Sequence, residues 1–167
     1  MTDSLNDEIR KLDAGAEKDR ASDPVAARKK AMDLLARREH AADELTAKLE
    51  KAGFETETAS DAVHRLGEEG LQSDARFVES FVQSRINQGK GPQRIRADLR
   101  QRGVRESLVE RALEEVSVDW YALAKETRER KFGKALPVDF KEKARQMRFL
   151  QYRGFEPDQI QAVVGER

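Results

Sequence analysis

The sequence predicts an all-α protein: three tandem three-helix repeats forming an elongated, curved molecule. Two observations carry this expectation. A short phrase recurs with a period near fifty residues, and apolar residues recur at helical spacing from about Met32 onward. A third bears on the shape: charged residues make up 38% of the 167, equal to the hydrophobic share, and only ten residues are aromatic. So little apolar surface suits small units that each bury one stripe per helix better than one large core. A compact pair of three-helix bundles is the less favoured arrangement.

The recurring phrase is LTAKLEKAGF (45–54), IRADLRQRGV (95–104) and RQMRFLQYRGF (145–155). Each copy ends in glycine followed by an apolar residue, at Gly53-Phe54, Gly103-Val104 and Gly154-Phe155, with intervals of 50 and 51 residues. A leucine stands four residues before each glycine: Leu49, Leu99 and Leu150. Eight before stand Leu45 and Ile95, but Gln146 in the third copy, where Met147 is expected to substitute by a small rotation. Such a phrase is a helix stop. Glycine enters the left-handed region and the next apolar side chain folds back over the helix end. Six and ten residues past each glycine lie Ala59 and Val63, Val109 and Leu113, and Ile160 and Val164, one face of a following helix.

A further helix is expected upstream of each phrase. Asp23-Pro24 supplies a cap and first-turn proline for Ala27, Ala31, Leu34 and Leu35. Asp74 opens a helix with Phe77, Val78, Phe81, Val82 and Ile86; Asp119 opens one with Trp120, Tyr121, Leu123, Ala124 and Phe132. Pro92 and Pro157 fall at first helical turns, and Pro137 keeps the third copy's first two helices apart. The expected boundaries are a polar tail or frayed helix over 1–23 and repeats over 24–71, 72–116 and 117–167.

Several function classes find no foothold. Absence of cysteine excludes disulfides, thiolate catalysis and sulfur-ligated zinc. His40 and His64 stand 24 residues apart with no carboxylate cluster at ligand spacing; His40 reads as a surface or capping residue and His64 as a boundary residue. Glu68-Glu69 and Glu114-Glu115 read as solubility residues. Gly89-Lys90-Gly91 lacks the spacing of a phosphate-binding loop and reads as a hinge. We therefore expect no enzyme, metal or cofactor, and no membrane partner, because no apolar run or signal-like leader is present. A cytoplasmic monomer is the expected state.

Charge is the informative feature. Residues 1–79 hold 13 Lys and Arg against 19 Asp and Glu, whereas residues 80–167 hold 19 against 13. From Arg85 to Arg105 the hinge and its flanking helices carry Arg85, Lys90, Arg94, Arg96, Arg100, Arg102 and Arg105 against Asp98 alone. With so few nearby carboxylates these cations are expected to stay unneutralised within the repeat and to meet phosphates or an acidic partner groove. The third copy repeats the theme with five interleaved acids. There Lys131, Lys134, Lys141, Arg145 and Arg148 are the candidate contacts, while Lys125, Arg128, Arg130, Lys143 and Arg153 complete the basic runs. Trp120, Tyr121 and Tyr152 are expected in the core, which leaves few rings for base stacking and points to backbone electrostatics.

SDARFVESFVQSRINQGKGPQRIRADLRQRGV (73–104) resembles the central motif of the RecX family, bacterial regulators of the RecA recombinase. The matching features are Asp74 and Phe77, the Gly89, Gly91 and Pro92 hinge, and the Leu99 and Gly103 stop. AMDLLARREHAADELTAKLEKAGF (31–54) and RFLQYRGFEPDQI (148–160) are also similar to that family. The resemblance implies a modulator built of tandem three-helix repeats. It would bind in the groove of the RecA–DNA filament and inhibit ATP hydrolysis, strand exchange and coprotease activity. Single- or double-stranded DNA is a further implied partner, and a general DNA-binding helical protein is the alternative reading.

Overall fold

A computed structural model describes residues 2–165, which form ten helices and no strand. In chain order they are α1 (Thr2–Ala21), α2 (Pro24–Arg37), α3 (Ala42–Lys51), α4 (Thr56–Glu68), α5 (Asp74–Asn87), α6 (Pro92–Gln101), α7 (Glu106–Glu115), α8 (Trp120–Phe132), α9 (Phe140–Tyr152) and α10 (Pro157–Val164). Helices α2–α4, α5–α7 and α8–α10 are the three copies. The chain divides into two compact units, Met1–Asp74 and Ala75–Arg167.

The three stops share one geometry. Phe54 N–H donates to Leu49 O and Gly53 N–H to Glu50 O; Val104 and Gly103 repeat this with Leu99 and Arg100, and Phe155 and Gly154 with Leu150 and Gln151. These are paired Schellman bonds, and Gly53, Gly103 and Gly154 have φ of 104°, 72° and 96°. Leu49, Leu99 and Leu150 are fully buried, and the residues six and ten past each glycine are buried too. Each stop therefore links a helix end to the core beneath it.

In the first unit α2, α3 and α4 pack around Leu45, Leu49, Phe54, Val63 and Leu66. Asp23 caps α2 by accepting from Val25 N–H. Helix α1 is exposed along most of its length; at its end Arg20 stacks over the Phe54 ring and Ala21 O accepts from Glu55 N–H. The polar N-terminal stretch thus forms a regular helix with a fixed C-terminal end.

His40 departs from expectation: it is 1% exposed. Its Nδ1 lies 3.0 Å from Arg38 O and its Nε2 3.2 Å from Lys48 Nζ, so the ring donates on one side and accepts on the other. Burial holds it below the usual imidazole range. The cause is tertiary. Gln72 donates to His40 O and to Asp74 Oδ1, and that oxygen accepts from Ala42 N–H at 2.8 Å, capping α3 from 32 residues away. Ala41, the residue at the cap, offers no side-chain acceptor of its own.

In the second unit α8, α9 and α10 pack around Ala124, Leu150, Phe155, Ile160 and Val164. Gln146, not Met147, occupies the inward position of α9: Gln146 is 3% exposed and Met147 37%. The reason is Arg128, a member of the third copy's basic run that is 1% exposed. Its guanidinium donates to Gly133 O, Lys134 O, Ala135 O and Gln146 Oε1, so α9 must turn an acceptor inward there. Tyr121 and Tyr152 likewise are not core residues; both are exposed, and Tyr121 donates to Asp158 at 2.7 Å.

The hinge glycines have a second use. Gly91 has φ −86°, which any residue adopts, yet a Cβ there would lie 2.5 Å from the backbone of Gly154 and Phe155. A Cβ on Gly154 would lie 2.3 Å from Arg94 Cβ. Two glycines let the α5–α6 hinge of the second copy sit directly on the α9–α10 stop of the third. Gly91 N–H donates to Arg153 O at 2.8 Å and Gln93 N–H to Gly154 O at 2.9 Å, while Arg153 donates to Gln88 O. The hinge is thus a joint between copies. Gly91→Ala is expected to cost about 1–3 kcal/mol in urea denaturation, from overpacking alone; wild-type stability would show that the two backbones are not in contact.

Candidate partner-binding surface

Helices α5 and α6 meet at the joint and set the geometry of the basic cluster. Pro92 at the first turn of α6 starts that helix immediately after the hinge, and Ile95 and Leu99 are buried. Asp98 lies on the half-exposed flank. Its carboxylate lies 3.5 Å from Arg94 and 3.9 Å from Arg85, and its main-chain oxygen accepts from Arg102. The lone acid of the stretch is therefore shared by several cations.

Two of those arginines also stack on Phe81: the Arg85 guanidinium is 4.1 Å from the ring centroid and that of Arg102 4.7 Å. Arg94 lies 5.3 Å from the Tyr152 ring. Lys90 completes the group. Its pKa is lowered from the ordinary lysine value, by desolvation first and then by the charge of Arg85, with Arg94 and Arg153 adding to this against the pull of Asp98. Burial and the neighbouring guanidinium groups thus both disfavour the charged form of Lys90.

Arg96 does not match the expectation of an unneutralised side chain. Its Nε and Nη2 donate to the two carboxylate oxygens of Glu110 at 2.7 and 3.3 Å, and Nη1 donates to Glu156 at 3.0 Å. The hydrogen bond to Glu110 is the main reason its pKa is raised. Glu110 lies on α7 and Glu156 precedes α10, so Arg96 ties the second copy to the third. Composition missed this because both acids lie outside the 85–105 window. Arg100, one turn along, is exposed and has no ion pair among the described residues; Arg105, after the stop, is the same.

In the third copy, Phe132 and Phe149 meet edge to face at 5.3 Å. Lys131 and Arg153 lie over Phe149, and Arg145 lies over Phe132 while pairing with Glu142. Lys134, Lys141 and Arg148 are exposed and stand apart from this stack, with no ion pair among the described residues. Arg153 and Tyr152 belong to the joint but were not singled out as contacts; their position just before the third stop was the available signal. No group of three or more histidines and carboxylates able to hold a metal occurs among the described residues, and no described helix is long and apolar enough to cross a membrane.

The three copies match, in order, models of the first, second and third three-helix domains of RecX, over residues 27–66, 73–113 and 117–164. Regulatory protein RecX of Pseudomonas savastanoi is 51% identical over 144 residues, covering 86% of this chain and 93% of the relative. The chain belongs to the RecX family. RecX of Halorhodospira halophila is 47% identical over 121 residues, covering 72% of this chain and 75% of that one.

Solved RecX structures share the fold. One crystal structure of regulatory protein RecX superposes with a TM-score of 0.71 at 22% identity, covering 93% of this chain and 76% of that one. RecX from Lactobacillus salivarius gives 0.69 at 20% identity, covering 86% and 96%. The RecX relatives are named regulatory proteins.

The split between paired and unpaired arginines has a measurable consequence. Arg96→Ala is expected to destabilise the chain by about 1–2 kcal/mol, reduced from a fully buried pair by its partial exposure. Arg100→Ala should stay within about 0.5 kcal/mol of wild type. Equal effects in thermal or urea unfolding would contradict the assigned roles.

Proposed function

We propose that this protein restrains the RecA recombinase, binding the groove of the RecA–DNA filament and suppressing ATP hydrolysis, strand exchange and coprotease activity. The observation that carries this reading is the 51% identity to regulatory protein RecX over 86% of the chain. The cluster of Arg85, Lys90, Arg94 and Arg102, sharing Asp98, supplies a surface for an acidic groove or for DNA phosphates. Arg100 and Arg105 add cations with no ion pair among the described residues, and Lys131, Lys134, Lys141, Arg145 and Arg148 extend the same chemistry in the third copy.

Backbone phosphate contacts alone would make the protein a salt-sensitive DNA binder that competes with RecA for the strand. Filament binding differs in stoichiometry. In a RecA ATPase assay on single-stranded DNA, the protein should inhibit well below the RecA concentration and continue to do so when DNA is in excess. Arg100→Glu with Arg105→Glu should lower potency about tenfold or more while leaving the melting temperature unchanged. Inhibition only at DNA-coating ratios, relieved by added DNA, would replace this reading with strand competition; full potency of the folded double variant would remove these two arginines from the surface.

A further inference from the structure

The connection between α8 and α9, with the first residue of α9, exposes three large apolar side chains at alternate positions. Leu136 is 58% exposed, Val138 92% and Phe140 86%. Pro137 between them is buried, so the segment turns one residue inward and its neighbours outward. It is held at both ends. Buried Arg128 donates to the carbonyls of residues 133, 134 and 135, and Asp139 caps α9 by accepting from Glu142 N–H at 2.7 Å.

This arrangement loses stability twice. A guanidinium is withdrawn from water, with its Nε left without a hydrogen-bond partner. The segment that follows the residues it fixes then leaves apolar surface in water. None of the three exposed side chains belongs to the apolar core of the third copy. A loop held at both ends in this way has its ordering complete before any partner arrives.

Charge indicates the partner. Lys134 and Lys141 flank the apolar residues, are exposed, and have no ion pair among the described residues; the one acid between them, Asp139, serves as the helix cap. A complementary surface has an apolar pocket with a carboxylate rim. Only Phe140 of the three offers a ring for a base; Leu136 and Val138 call for an apolar pocket, which a nucleic-acid strand does not supply. We infer that residues 133–141 dock into such an acid-rimmed apolar pocket on a protein subunit of the RecA filament, and not onto its DNA. This inference rests on the filament-binding reading above.

The test uses the full chain with two changes made separately. In the first, Leu136→Ser, Val138→Ser and Phe140→Ser are combined; in the second, Phe140 is replaced by the photocrosslinker p-benzoylphenylalanine. The triple variant should melt as wild type does, bind naked single-stranded DNA equally, and inhibit RecA ATPase at least about tenfold less potently. Illumination should join position 140 to the RecA polypeptide, a result that stands even if the triple variant folds poorly. Undiminished inhibition by a folded triple variant would overturn the docking loop, as would crosslinking to the DNA strand or to a second copy. Loop-dependent sedimentation with phosphatidylglycerol vesicles would also overturn it, in favour of a lipid surface. If the wild-type chain fails to inhibit RecA at all, the filament reading itself falls, and with it RecA as the occupant.

Discussion

Backbone-to-backbone contact at Gly91 and Gly154 is the constraint on which the second unit depends. Helix ends ordinarily leave main-chain groups for water or side chains to satisfy. Here the start of α6 gives two of its amides to the carbonyls of Arg153 and Gly154, at the stop that ends α9. One glycine is needed for closeness, since its φ is ordinary, and the other for both closeness and its φ of 96°. Because neither bond depends on a flexible side chain, the joint fixes α6 against α9 and α10 with little freedom.

That placement determines which arginines remain available. With α6 seated at the joint, Arg96 reaches acids from α7 and from the start of α10 and becomes a structural tie. Arg94 is drawn towards Tyr152, while Arg85, Lys90 and Arg102 gather around Asp98 and Phe81. Arg100 and Arg105 are left to solvent. The basic stretch is thus divided between holding two copies together and presenting charge. A positive surface whose side chains are oriented by rings and one shared carboxylate needs less reorganisation on binding than free lysines would.

The local features of the fold were legible in the sequence. The three stops, the Asp23 and Asp119 caps and the first-turn prolines each depend on neighbours within a few residues, so spacing alone reveals them. What escaped was non-local. Asp74 was read as the start of its own helix, yet it caps α3 as well, and His40 was buried by the same bonds. Gln146 broke the apolar pattern because Arg128 needed an acceptor, and nothing in a basic run distinguishes the member that turns inward. The candidate site was half legible for the same reason: counting charges over 85–105 located the cluster but could not anticipate Glu110 and Glu156 arriving from outside it.

The hinge is a joint closed by main-chain bonds. Amide hydrogen exchange at Gly91 and Gln93 tests it most directly, because both amides lie at the start of α6, where an isolated helix would leave them open. Both amides should be protected about as well as those of Ile95 and Leu99 in the same helix. Exchange at the rate of an exposed loop, with Ile95 and Leu99 still protected, would mean that the second copy folds without resting on the third, contradicting the claim.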